Sequence, residues 1–372
     1  MSRLDELIQE LCPDGVEYKR IDEICDISRG RVMSKDYIQA NQGEYPVYSS
    51  QTENDGELGK ISSFDYEGEY LTWTTDGANA GSVFYRNGRF SITNVCGLLK
   101  VNKDDVKTRY IYHSLQIEAP KYVNKGMGNP KLMSNVMARI KLPVPPLEVQ
   151  REIVRILDNF TSLKAELQAE LQARKKQYEY YRDKLLSFAS DIPLFQLGKV
   201  CDLQAGKAIK ASEISDIETN QETIPCYGAN GLRGYVGKSN QKGDKSIIGR
   251  QGAQCGNVCY ATGKYYATEH AVVVTDKGYF NSRYLFHVLT HANLNQYKTA
   301  GAQPGLSVSK LNNVMIAVPD KKVQDKIANI LDNFEKICSD LNIGLPAEIE
   351  ARQKQYEYYR DKLLSFQVKS YD

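Results

Sequence analysis

The segment ARKKQYEYYRDKLLSF, residues 173–188, returns 178 positions later as ARQKQYEYYRDKLLSF, residues 351–366, with one change, Lys175 to Gln353. A chain that writes a stretch twice must build a similar structure twice, so the internal repeat governs every other reading. The correspondence extends outward from this segment. VQREIVRILDNF (149–160) returns as VQDKIANILDNF (323–334), and RYIYHSL (109–115) as RYLFHVL (283–289). Fainter pairs are EICDISRG with KVCDLQAG, YPVY with IPCY, and DGANAGSVFY with QGAQCGNVCY. At 372 residues the chain is too long for one ordinary core, and the repeat divides it naturally in two.

Each copy has two parts. The first is rich in Gly, Tyr, Thr and Val in short runs broken by turn signals such as NDG, RNG and KG, which predicts a mixed β-rich domain with one or two short helices, RYIYHSLQ being the clearest. The second starts at a proline boundary, PVPP or VPD, and reads as a long helix. In the first copy Val149, Ile153, Ile156, Phe160, Leu163, Leu167, Leu171, Tyr178, Tyr181, Leu185 and Phe188 follow a coiled-coil seam with one stutter in AELQAELQ (165–172). The second copy repeats that seam but carries NIGLP, where Gly344 and Pro346 predict a break or kink. Boundaries follow at 1–146 for the first domain, 147–189 for a central helix, 190–319 for the second domain and 320–372 for a C-terminal helical region. Helix one enters the second domain and helix two leaves it, so helices that pack along their seams run antiparallel. The expected fold class is α+β: two mixed β-rich globular domains joined by two long antiparallel coiled-coil helices, related by a pseudo-two-fold axis. Such a dyad suits duplex DNA, whose strands are themselves antiparallel.

Composition narrows the function. Charge is near balance: 13 Lys and Arg against 8 Asp and Glu in residues 194–318, and 17 against 16 in residues 17–146, which excludes a nonspecific nucleic-acid coat. No run has the length of a membrane span. The acidic amphipathic start lacks the features of a secretory signal, and the eight scattered cysteines suit reduced thiols, which together predict a cytoplasmic protein. Methyltransferase motifs are missing: no glycine-rich cofactor loop, and the one Pro-Pro pair is followed by Leu147. GLRGYVGKS has five residues between Gly231 and Gly237 where a phosphate-binding loop needs four. Cys255, Cys259, His287 and His291 could suggest zinc, but neither cysteine recurs in the other copy, so buried thiols and a helical histidine pair are the better reading and no metal is expected.

The candidate DNA-contacting residues lie in loops that recur. TDGANAG (75–81) aligns with RQGAQCG (250–256), keeping both glycines and an amide at Asn79 and Gln254. Amides can pair with adenine, and Arg250, beside Gln251, with guanine; a tight turn capped by its own amide reads the same residues equally well. NKGMGNPKL and TAGAQPGL form a second pair, offering Lys125, Lys131, Gln303 and Lys310. Arg29 and Arg31, with Lys207 and Lys210 in the other copy, form a third, suited to phosphates. Tyr178, Tyr180 and Tyr181, with Tyr356, Tyr358 and Tyr359, give the repeated helix more aromatic surface than one seam needs, which points to a partner held twice. Recombination between near-identical copies would also keep them alike.

With these features laid out, the chain resembles the specificity subunit of type I restriction–modification systems over essentially its full length. PPLEVQREIVRILD, its tandem recurrence and the paired QYEYYRDKLLSF ends carry the resemblance. It implies a subunit with no catalysis or cofactor of its own, which binds a bipartite site on double-stranded DNA. It also implies two modification subunits that methylate adenine with S-adenosylmethionine, and restriction subunits that translocate and cleave. AELQAELQ sits where the family's spacer repeats sit. A stand-alone DNA-binding regulator and a metal-dependent enzyme are the competing classes.

Overall fold

The computed structural model describes residues 3–126, 128–188, 192–252, 254–299, 304–339 and 343–369. It divides into two compact units, Met1–Glu166 with Ile349–Asp372, and Leu167–Glu348.

In the first unit, alternating and buried apolar runs form β1 (Cys25–Arg29), β2 (Gln42–Tyr48), β3 (Glu57–Ile61), β4 (Tyr66–Thr74), β5 (Val83–Ile92) and β6 (Cys96–Val101). They build one sheet in the order β1-β6-β4-β5-β2-β3. Neighbours are antiparallel except β2 and β5, where Val47 faces Ser91 in a parallel register. Trp73 is fully buried against this sheet and donates its indole N–H to the carbonyl of Leu132 at 2.9 Å. RYIYHSL lies in α1 (Thr108–Glu118), whose Tyr110, Ile111 and Leu115 are buried.

The helix α2 (Leu147–Leu186) is continuous for 40 residues, which at 1.5 Å per residue gives about 60 Å. The second unit then repeats the strand scheme with β7 (Cys201–Ala205), β8 (Ile224–Gly228), β9 (Gly231–Val236), β10 (Lys245–Gly249), β11 (Val258–Ala261), β12 (Lys264–Ala267) and β13 (Ala271–Asp276). Here β7-β13-β10-β11 form one sheet, and β12 joins β8 and β9 in another. The order matches the first unit once β11 and β12 are taken together as the counterpart of β5, interrupted at Thr262 and Gly263. Cys226 faces Tyr266 in the equivalent parallel register. RYLFHVL lies in α3 (Ser282–His291), followed by α4 (Lys321–Ser339) and α5 (Leu345–Leu363). The second long helix is therefore interrupted around Gly344, with Pro346 tolerated in the first turn of α5, where its missing N–H has no helical partner to lose.

Within each unit the paired helices run antiparallel. In the first, Phe160 stacks on Tyr359 with ring centroids 5.5 Å apart, and one turn further along α2 the ammonium of Lys164 reaches the Gln353 oxygen at 2.6 Å, further back along α5. In the second, Tyr181 stacks on Phe334 with ring centroids 5.6 Å apart, and Tyr178, one turn earlier on α2, lies 6.5 Å from the same ring of α4. The seam is modified where α2 meets a globular core. Val149, Ile153 and Leu157 are fully buried, a straight-helix spacing of four and four, whereas the seam residue Leu163 is 37% exposed. Toward the other end Leu186, off the seam, is buried instead of Leu185. A heptad stripe drifts around a straight helix, so a helix that also packs on a domain must bury a second face.

The repeated motifs meet at a joint that is the same in both units. Gln150 is fully buried: its Oε1 accepts from Lys107 N–H at 2.9 Å, and its Nε2 donates to the carbonyls of Asp105 and Pro145, each at 2.8 Å. Gln324 does the same with Asn281 N–H (2.7 Å) and the carbonyls of Tyr279 (3.0 Å) and Pro319 (2.8 Å). About two turns further along the same helix, the aspartate of ILDNF takes the arginine and histidine of the short helix. Asp158 pairs with Arg109 and with His113 Nε2 at 2.9 Å; Asp332 pairs with Arg283 at 2.8 Å and His287 Nε2 at 2.7 Å. Burial would raise both carboxyls, but the hydrogen bonds from His and Arg outweigh it and hold them below the usual range. Burial also lowers both histidines, against the pull of their aspartates, so the rings are neutral at pH 7. In the first unit the segment after α5 closes the repeat: Val16 N–H donates to Gln367 O at 2.8 Å, Lys369 N–H to Val16 O at 3.0 Å, and Tyr18 O–H to Phe366 O at 2.9 Å.

Candidate nucleic-acid interface

The recurring loops sit where strands end, and both units tie them with the same backbone hydrogen bonds. In the first unit Gly77 N–H donates to Pro130 O at 3.0 Å and Leu132 N–H to Thr75 O at 2.9 Å. In the second, Gly252 N–H donates to Pro304 O at 3.0 Å and Leu306 N–H to Arg250 O at 2.9 Å. The turns themselves also match: Gly81 to Thr74 and Ser82 to Asn79 at 2.9 and 3.1 Å, against Gly256 to Gly249 and Asn257 to Gln254 at 2.7 and 3.1 Å. Gly81 and Gly256 stand at φ 85° and 92°, a region that a side chain resists, which explains why both glycines recur. Two loops separated by about 50 residues in sequence thus become one surface in each unit, a backbone frame on which the side chains differ.

The candidate residues distribute over that frame unequally. Asn79 is exposed, and its Nδ2 donates to Thr52 Oγ1 at 2.9 Å. Lys131 is exposed 4.0 Å from Asp76, and Lys125 is exposed in the same loop. Arg29, also exposed, places a guanidinium nitrogen 3.8 Å from the sulfur of Met133, beside Leu132. Arg31 is engaged instead, with Asp65 at 3.0 Å and over the ring of Tyr37. In the second unit Gln251 and Gln254 are exposed and Arg250 half-buried, with Gln251 bridged to Gly305. Lys310 is exposed and its ammonium bonds to Tyr297 O at 3.0 Å. Lys207 and Lys210 are exposed beyond β7. Gln303 lies outside the described residues. Sequence reading missed Asn124 and Asn129, which with Lys131 line a concavity of about 310 Å³. It also missed Thr52, whose contact with Asn79 brings in a loop 27 residues away; no local pattern announces such a pairing.

The six tyrosines of the repeated helix divide by orientation. Tyr181 and Tyr359 stack on Phe334 and Phe160, and Tyr178 lies 6.5 Å from Phe334. Tyr356 donates to Gln116 Oε1 at 2.9 Å and meets His113 Nδ1 at 3.2 Å. Tyr180 and Tyr358, at equivalent positions, are 60% and 63% exposed. Among the described residues the one group with metal-ligand geometry is His287, Asp332 and Glu335, whose ligand atoms lie within 4.8 Å of one another. Arg283 already bonds both carboxylates, so the cluster is a closed ion-pair network. No helix among the described residues is long and apolar enough to cross a membrane.

The family model described as the type I restriction modification DNA specificity domain matches residues 13–174 and again residues 190–351. The chain belongs to that family. It carries the DNA specificity domain twice, as the repeat requires. A Mycoplasma pneumoniae protein bearing the name of a type I specificity subunit is 36% identical over 355 residues, 93% of this chain and 97% of its own length. A second from the same organism, named as the N-terminus of a type I specificity subunit, is 54% identical over 176 residues, 45% of this chain and 94% of its own. The crystal structure of a type I restriction–modification S subunit from M. genitalium shares the fold at TM-score 0.67 and 17% identity, covering 94% of this chain and 96% of that one. The family's domain boundaries include the Gln–Asp–His joint as well as the loops, so both the frame and the surface it carries belong to the repeated unit.

Proposed function

We propose that this chain is the noncatalytic recognition subunit of a type I restriction–modification complex and reads a bipartite site on double-stranded DNA, one half-site per domain. Residues 1–146 and 190–319 are the two recognition domains, residues 147–189 the spacer helix, and residues 320–372 the helical region that completes the assembly. One observation carries the reading: two loop frames with the same backbone bonds present different side chains, Asn79 with Lys131 in one and Arg250, Gln251 and Gln254 in the other. A shared frame with unlike side chains suits two similar docking events on unlike base sequences, since phosphate contacts position a module and base-edge contacts specify it. Arg29, Lys125, Lys207, Lys210 and Lys310 suit phosphates; Gln303 belongs to the same set by alignment, and Arg31 is available once released from Asp65.

The same reading gives Tyr180 and Tyr358 to the modification subunits, two copies per chain, because the exposed ring recurs in the one segment kept almost unchanged. Tyr178, Tyr181, Tyr356 and Tyr359 support those sites from within. The complex is cytoplasmic. Co-expression with the cognate adenine methyltransferase tests this: a complex with two methyltransferases per chain, and methylated adenines in both halves of a gapped motif, is expected. A chain that binds DNA alone and recruits no methyltransferase is a regulator instead.

A further inference from the structure

The first unit carries a loop that the second lacks. Strands β8 and β9 are joined by the two residues Ala229 and Asn230, whereas β2 and β3 are joined by residues 49–56. Within that loop Asn54, Asp55 and Gly56 stand consecutively at φ 50°, 54° and 79°. Asparagine and aspartate tolerate the left-handed region better than other side chains, but successive residues there persist only when their surroundings hold them.

Arg86 supplies the hold. Its side chain is 3% exposed, its Nη1 pairs with Asp55 Oδ2 at 2.5 Å, its Nη2 donates to Asp55 O at 2.7 Å, and its Nε donates to Thr72 Oγ1 at 3.1 Å. The guanidinium also lies 3.6 Å from the ring centre of Tyr48. The counterpart of Arg86 in the second unit is Ala261, so clamp and loop occur together or not at all. A fully desolvated arginine spent on one exposed turn is more than a connection between two strands requires. The turn lies beside the candidate interface, because Thr52 accepts from Asn79. Asn54, at its tip, is exposed, and its amide makes no hydrogen bond among the described residues.

We infer that residues 52–56 form a third base-reading element peculiar to the first domain, with Asn54 the specificity-determining residue and Arg86 the residue that positions it. The inference rests on the DNA-recognition reading above. Asn54 offers adjacent N–H donor and carbonyl acceptor groups, which match the N7 and N6 edge of adenine in the major groove. The half-site of the first domain therefore gains a contact that the second domain has no means to make.

The test is selection from a pool of DNA duplexes randomised across both half-sites, using the full chain. Asn54→Gly is the decisive variant, since glycine keeps the left-handed backbone and removes only the amide. It is expected to lose about tenfold discrimination for adenine at one position of one half-site, the scale of a single bidentate base contact, and to leave the other half-site unchanged. Arg86→Lys keeps the charge but cannot make the three bonds, and should blur the same position, with the untouched half-site serving as the internal control for folding. An Asn54→Gly chain that selects the wild-type sequence at every position overturns the inference while DNA recognition stands. A wild-type chain that enriches no gapped sequence overturns the recognition reading itself.

Discussion

Replacing Gln150 with leucine removes three hydrogen bonds made by a fully buried side chain, one of them in a fully buried setting and two in part-buried ones, without opening a cavity, because the two side chains are close in size. The Lys107 N–H then has no acceptor at the start of α1, and the carbonyls of Asp105 and Pro145 each lose a donor. A buried group left without a partner costs about 1–3 kcal/mol; carbonyls, with two lone pairs, fall at the low end. Leucine returns part of this through apolar burial, so a net local loss of about 2–3 kcal/mol is expected at the junction of α1 with α2. At 1.4 kcal/mol per factor of ten, that is a rise of about 30- to 150-fold in the opening equilibrium. Hydrogen–deuterium exchange read by mass spectrometry should show it in peptides covering residues 107–118, with peptides covering residues 281–291 unchanged. Gln324→Leu should invert the pattern. Exchange within threefold of wild type in the expected peptides would refute the claim that the recurring glutamine holds each short helix to its long one.

Acid should loosen both joints. His113 and His287 are neutral in the fold and lowered by burial, so their contribution is complete above the ordinary value of 6.5 and is lost as pH falls from there through the folded-state value; Asp158 and Asp332, also lowered, add a loss below about 3.8. The thermal midpoint should therefore drop as pH falls below about 6.5, and His113→Gln should flatten that drop. Tyr180→Ala and Tyr358→Ala, each removing one exposed ring, should each weaken one methyltransferase site by about 30-fold in pull-down titrations and leave the selected DNA sequence intact; an unaltered stoichiometry and affinity in the double variant would remove these rings from the partner surface. Deleting residues 169–172 takes about 6 Å and 40° from a continuous helix and should change the preferred gap between half-sites by one or two base pairs, with both half-site sequences kept, as read by methylation-sensitive sequencing.

Much of the candidate surface was legible because its geometry is written in local chemistry. The glycines of TDGANAG and RQGAQCG announce left-handed backbone, and their recurrence announces equivalent turns; Gly81 and Gly256 have that conformation. Other residues needed the fold. Arg31 reads as free cationic surface beside Arg29, yet Asp65, 34 residues away, pairs with it. Tyr356 reads as spare aromatic surface, yet it bonds to Gln116 from 240 residues away. Leu157 lies off the seam and Leu163 on it, and burial runs the other way because the domain core competes with the partner helix for faces of α2.

The sequence alone determined that one architecture is built twice and that the second long helix is interrupted near Gly344. These are properties of repetition, periodicity and backbone chemistry, which short stretches carry by themselves. Tertiary structure decided which repeated motifs are partners: RY-x-x-H with the aspartate of ILDNF, the glutamine of VQ with a helix start more than 40 residues earlier, and the TDGANAG loop with the turn held by Arg86. Those pairings depend on how distant strands and helices pack, and a hydrogen bond between residues far apart leaves no spacing in the chain by which to recognise it.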